Sequence, residues 1–265
     1  MLTTIILYVA LGGVAGILAG LLGIGGGLVI VPMLAFAFPA QGFAHEHIQH
    51  LALGTSLATI IFTSMSSVRA HHSRGAVDWK TFWRITPGII TGTYLGSVIA
   101  GSLSTNFLKG FFAIFLYFVA ANMLLGAKPK GSRQLPGTAG IFGVGNGIGI
   151  FSALVGIGGG TLSVPFLSWC NVAMHTAIGT AAAIGLPIAI SGTIGYIVSG
   201  WNATNLPDYT IGYIYLPALL GIIVTSTLTA PLGARLAHSL PVGKLKKIFA
   251  ILLLVVATRM LISIF

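Results

Sequence analysis

Five residues, Gly-Ile-Gly-Gly-Gly, occur twice in this chain, at 23–27 and at 156–160, each time inside an apolar run. Glycine lets the backbone leave a regular path at little steric cost, so each cluster marks a break in a helix. The copies lie 133 positions apart in a chain of 265, and the likeness extends past the glycines. Residues 16–34 pair with 149–167 without a gap, and 11 of the 19 pairs are identical, including Val31-Pro32 with Val164-Pro165. Only 6% of the residues are charged, 55% are hydrophobic and the mean hydropathy is +0.99. Soluble domains carry about 25% charged residues, so lipid is the solvent for most of this chain.

A membrane-spanning helix needs about 20 apolar residues. On that measure the first half divides into 3–22, a shorter 28–38, then 50–68, 81–100 and 107–125. The second half repeats the order with 137–155, a shorter 161–170, then 175–198, 210–232 and 245–265. A polar linker, Lys128-Pro129-Lys130-Gly131, joins them. The repeat continues beyond the glycines, with His50-Leu51-Ala52-Leu53-Gly54-Thr55 resembling His175-Thr176-Ala177-Ile178-Gly179-Thr180, and Leu108-Lys109 matching Leu245-Lys246.

Charge sets the orientation. Eleven of 13 basic residues fall in three regions, around 69–84, 128–133 and 235–247, which the positive-inside rule assigns to the cytoplasm. The connections at 39–49 and 199–209 hold no Lys or Arg and belong outside. All three basic regions land inside only if 3–38 and its counterpart enter and return as hairpins. The expected fold is therefore an all-α polytopic membrane protein of two inverted-topology repeats, 1–131 and 132–265. Each is a glycine-broken hairpin followed by three transmembrane helices, with both termini on the outer side. No removable leader is expected, because Met1-Leu2-Thr3-Thr4 lacks a basic residue. The single cysteine, Cys170, excludes a disulfide within the chain.

Irregular backbone is tolerated at membrane depth only where protein or a water-filled cavity surrounds it. A glycine break followed by a helix leaves bare N–H groups and a positive dipole end, which together attract anions. Interrupted segments at matching positions of inverted halves point to a transporter's central site. The alternative is a tight turn that serves packing alone. The expected anion site comprises the amides of Gly25, Gly26, Gly27, Gly158, Gly159 and Gly160 with the hydroxyls of Thr55, Ser56, Thr161 and Thr180. Ser152 and Ser163 are weaker candidates, and Ser or Thr back-bonding to its own helix is the competing role for all of them. Glycines four apart, Gly12, Gly16, Gly20 and Gly88, Gly92, Gly96, read as helix-packing faces. His50 and His175 occupy matching positions, where a structural role at the interface competes with proton coupling. His45, Glu46 and His47 lack helical metal-ligand spacing. Glu46, Asp78 and Asp208 are the only acids and all lie in connections, so no carboxylate is available to relay protons within the membrane. Arg259 is the cation read as lying deep in a helix, with snorkelling to the outer surface as its default role. No nucleophile, base and acid assemble into a catalytic set, no cofactor or nucleic-acid partner is expected, and an enzyme is not expected.

The paired Gly-Ile-Gly-Gly-Gly stretches followed by Val-Pro, with Gly-Thr-Ser at 54–56 and Gly-Thr at 179–180, resemble the TauE/SafE family of sulfite-exporter-like membrane proteins. The resemblance spans nearly the whole chain. It implies transport of small sulfur-containing anions, such as sulfite or organosulfonates, across the bacterial inner membrane. An anion channel and a non-transporting scaffold or sensor are the rival readings. The second copy reads Gly-Thr-Ala where the first reads Gly-Thr-Ser, so the two sides of the site differ.

Overall fold

The computed structural model describes residues 2–22, 26–125, 133–239 and 242–264. The first half holds α1 (Leu2–Leu22), α2 (Gly27–Ala37), two 3-10 turns (Pro39–Gln41 and His45–His47), α3 (Ile48–His72), α4 (Trp79–Ser102) and α5 (Thr105–Leu125). The second holds α6 (Thr138–Val155), α7 (Gly160–Trp169), α8 (Met174–Gly200), a two-stranded hairpin of β1 (Thr210–Ile211) and β2 (Ile214–Tyr215), α9 (Leu216–Ser239) and α10 (Val242–Ile262). Both expected breaks are present. Gly156, at φ +67°, ends α6 in the left-handed region that glycine adopts at least cost, and α7 restarts at Gly160. At the first break α1 ends at Leu22 and α2 starts at Gly27. Gly23, Ile24 and Gly25 lie outside the described residues.

One segment departs from the sequence expectation. The run expected as a helix over 210–232 opens with a hairpin, Thr210 opposite Tyr215 and Ile211 opposite Ile214, and α9 starts only at Leu216. The physical reason is the two-residue turn at Gly212-Tyr213, where Gly212 takes φ +54°. Four described stretches are long and apolar enough to cross a membrane: His45–His72, Thr105–Leu125, Thr138–Val155 and Met174–Gly200. The first turns of α4 carry Lys80 and Arg84, and those of α10 carry Lys244, Lys246 and Lys247, which lowers their hydropathy. Ile114, Phe118, Leu220, Leu228 and Ile251 are more than half exposed and form an apolar outer surface suited to lipid.

The halves interlock. α3 and α8 pack against each other at the centre, α4 lies along both α6 and α8, α1 lies along α9, and α5 lies along α10. The long arm of each hairpin thus packs on a helix from the opposite half. Glycine makes these approaches close. A β-carbon on Gly88, Gly92 or Gly96 would strike the backbone of Phe142, Asn146 or Ile150 on α6. On α1, Gly12 and Gly16 meet Ile222 and Ser226 of α9 in the same way. Asp78 starts α4 as its N-cap, accepting from the Thr81 N–H at 3.1 Å and the Thr81 hydroxyl at 2.6 Å. Trp83 stands 66% exposed beside it, where an interfacial anchor belongs.

Gly92→Leu should therefore lower the melting temperature of the purified protein by roughly 6 to 10 °C, the effect of about 3 kcal/mol of overpacking. Gly143→Leu, which faces open space, should leave it unchanged.

Candidate functional site

The two glycine turns meet. A β-carbon on Gly27, at the N-terminus of α2, would run into the carbonyl of Gly156 and stand 3.0 Å from Ile157 Cα. Gly26, Gly27 and residues 156–159 are all buried. Backbone that leaves the helical path is therefore covered by other backbone and not by lipid, as membrane depth requires. The face of α3 bearing Leu53, Ser56 and Ile60 closes the second turn from one side. Leu53 lies against Gly156, the Ser56 hydroxyl donates to the Gly156 carbonyl at 2.9 Å, and Ile60 lies against Gly158. From α8, the Ala181 carbonyl and the Gly185 N–H abut Gly159. The structure thus gathers Gly26, Gly27, Ser56, Gly158, Gly159, Gly160 and Thr161 around the two turns. Gly25 lies outside the described residues.

Thr55 and Thr180 are placed differently. Each hydroxyl is fully buried and accepts a backbone N–H from the segment leading into a helix of the opposite half. Thr55 Oγ1 accepts from Tyr215 N at 3.0 Å, just before α9, and Thr180 Oγ1 accepts from Asp78 N at 2.9 Å, just before α4. The preceding glycines complete the match, with Gly54 against the Tyr213 carbonyl and Gly179 against the Ala76 carbonyl. Each clasped segment also folds back on the helix before it. Tyr213 N donates to Tyr196 O at 3.1 Å, and Ala76 N to His71 O at 3.0 Å. The Gly-Thr pairs are therefore two matching clasps, one on each central helix, and each hydroxyl keeps its own proton to donate.

The hairpin held by the first clasp contributes to the lining of two cavities, Tyr213 to one and Tyr215 to the other. One, of about 420 Å³, is lined by His45, Glu46, His47, His50, Thr105 and Tyr213 among others. The other, of about 440 Å³, is lined by Gln41, Phe43, Asp208, Tyr209 and Tyr215 among others. His50 Nε2 lies 3.0 Å from the carbonyls of both Ala100 and Leu103, and its ring stacks on Tyr213 at 4.9 Å. That arrangement anchors the start of α3. Among the described residues no group of three or more His, Cys, Asp or Glu is arranged to hold a metal ion.

Two features escaped the sequence reading. Lys109 on α5 is only 4% exposed, a buried cation four residues beyond Thr105. Gln49 is 0% exposed, and neither end of its carboxamide has a hydrogen-bond partner among the described residues. Gln49 is one of many polar residues on α3, and what distinguishes it is this lack of a partner. The same condition holds for the Ser152, Thr161 and Ser163 hydroxyls, which flank the second turn. Arg259, by contrast, is exposed in the last turn of α10, as snorkelling requires.

Thr55→Val removes the acceptor of the buried Tyr215 N–H, and Thr180→Val that of the half-buried Asp78 N–H. Each should destabilise the protein by about 1–3 kcal/mol, read as a lower melting temperature, while Thr→Ser at either position should restore it.

The family profile described as sulfite exporter TauE/SafE matches residues 8–260. A probable membrane transporter protein of Haemophilus influenzae is 40% identical over 99% of this chain and 100% of its own length. A probable membrane transporter protein of Methanocaldococcus jannaschii is 29% identical over 97% of this chain and 95% of its own length. The probable membrane transporter protein YunE of Bacillus subtilis is 28% identical over 74% of this chain and 79% of its own length. No solved structure matches. With its doubled glycine turns inside an apolar helical body, this multi-pass membrane protein belongs to the TauE/SafE family of membrane transporters.

Proposed function

We propose that the protein is a secondary transporter that exports small sulfur-containing anions, sulfite or organosulfonates, across the bacterial inner membrane. The observation that carries this reading is the abutment of the two glycine turns, Gly27 against Gly156 and Ile157, deep inside the helical body. The N-termini of α2 and α7 both open at these turns, so N–H groups and positive dipole ends converge there. Backbone donors of this kind suit the oxygens of a sulfite or sulfonate group. The description of the family as sulfite exporters supports the choice of anion.

The working units are two inverted repeats, 1–131 and 132–265, with both termini outside. The clasps support alternating access. Gly54-Thr55 grips the hairpin that contributes to both cavities, and Gly179-Thr180 grips the segment before α4. If the repeats are inverted, these grips lie on opposite sides of the membrane. One releases while the other holds, as one repeat rocks against the other. The membrane potential supplies the direction. A cell negative inside favours anion exit by about 2.3 kcal/mol per charge per 100 mV. Export then needs no coupled cation, in keeping with the absence of acids from the apolar runs.

In proteoliposomes loaded with sulfite, an inside-negative potential should accelerate efflux, and external unlabelled sulfite should drive counterflow of labelled anion. Flux without counterflow would identify a channel, and no flux a scaffold or sensor. The orientation has its own test in a Cys170→Ser background. A membrane-impermeant thiol reagent applied to whole cells should label both His45→Cys and Asn202→Cys and should reach Arg74→Cys only after permeabilisation. Protection of Asn202→Cys in intact cells where His45→Cys is labelled would overturn the inverted arrangement.

A further inference from the structure

The two turns match in sequence but not in the side chains around them. Of the eight mismatched pairs in the 16–34 and 149–167 alignment, three set a hydroxyl against an apolar residue: Ser152 against Ala19, Thr161 against Leu28, and Ser163 against Ile30. Those three hydroxyls have no hydrogen-bond partner among the described residues, and Ser152 and Ser163 are 0% exposed. Both serines are fixed to the second turn through their backbones. The Ser152 carbonyl accepts from the N–H of Gly156 and of Ile157, and the Ser163 N–H donates to the Gly159 carbonyl at 2.9 Å. At the first turn, Leu28 and Ile30 are each 2% exposed, and Ile30 Cδ1 lies 2.7 Å from where a Gly26 β-carbon would stand. The described end of the first turn, at Gly26 and Gly27, is thus bordered by hydrocarbon, and the second turn is flanked by hydroxyls.

Gln49 joins the polar side. In a helix, residues three and four apart share a face, and Gln49 begins the α3 face that continues through Leu53, Ser56 and Ile60. Each of those three touches the second turn. The matching residue on α8 is Met174, which is 50% exposed. A buried carboxamide with no partner at either end costs free energy in an apolar interior, as do the lone hydroxyls. The three hydroxyls flank one turn and have no counterpart at its twin, and Gln49 stands one helical turn before Leu53 on the same face of α3, which is the pattern of a site that takes a polar ligand.

We propose that Gln49, Ser152, Thr161 and Ser163 bind the charged head of the transported anion at the second turn, while Leu28 and Ile30 at the first turn receive an apolar body. The ligand is then a small organic oxyanion, bound end-on, with its oxygens on hydroxyl, carboxamide and amide donors and its hydrocarbon on the opposite side. This assignment rests on reading the paired turns as the anion site, and adds to it the side chains, the polarity of the pocket and the class of ligand.

The test is binding of methane-, ethane- and propanesulfonate, with inorganic sulfite alongside, to the full-length protein in nanodiscs. Affinity should rise roughly fourfold per added methylene. Gln49→Leu and Ser163→Ala should each weaken ethanesulfonate binding about tenfold or more without lowering the melting temperature. Ile30→Ser should flatten the dependence on chain length while methanesulfonate affinity stays within about twofold. If sulfite binds, chain length brings no gain and the Gln49 and Ser163 variants bind as wild type does, the asymmetric pocket is wrong and the anion site survives. If no anion of the series binds, the anion site falls and the pocket with it.

Discussion

Irregular backbone inside lipid must be covered, and here the second glycine turn is covered by the start of α2. The Gly27 and Gly156 contact is available only because neither residue has a side chain. A helix that starts at membrane depth, as α2 and α7 do, leaves four N–H groups without an intrahelical partner. Placing two such ends together concentrates donors at one point and excludes lipid from both. The surrounding architecture serves this placement. α3 and α8 cross at the centre and close the second turn from two sides, and the long arms α1 and α6 are held by glycine faces to α9 and α4.

The exchange of partners between halves has a mechanical consequence. α1 lies on α9 and α6 lies on α4, so each hairpin is packed against a helix of the opposite half. The Gly-Thr clasps make the same exchange at the level of single hydrogen bonds, from Tyr215 to Thr55 and from Asp78 to Thr180. Each central helix therefore bears a clasp and also touches the second turn. That coupling is what an alternating mechanism asks of its scaffold.

Much of the helical order was legible in the sequence, because apolar runs near 20 residues and clustered glycines leave few options. Both breaks and both short arms fall where the glycines place them. The hairpin at 210–215 was hidden because a short apolar run has no decisive period. Its signal was a glycine-led two-residue turn between β-branched and aromatic residues, Ile211-Gly212-Tyr213-Ile214. The candidate site was legible in part. Glycines and Ser56 gather at the turns, whereas the engagement of Thr55 and Thr180 with distant N–H groups depends on contacts 160 and 102 residues away in the chain. Gln49 could not be singled out, since what marks it is the lack of a partner after folding.

The most direct measurement is amide hydrogen exchange across 158–161 in the membrane-embedded protein, with and without saturating anion. Bound oxygens should protect these amides, slowing exchange at least tenfold while the lipid-facing turns of α5 stay unchanged. Anion flux with unaltered exchange at 158–161 would contradict the account, since the main-chain donors at its centre would then have no ligand.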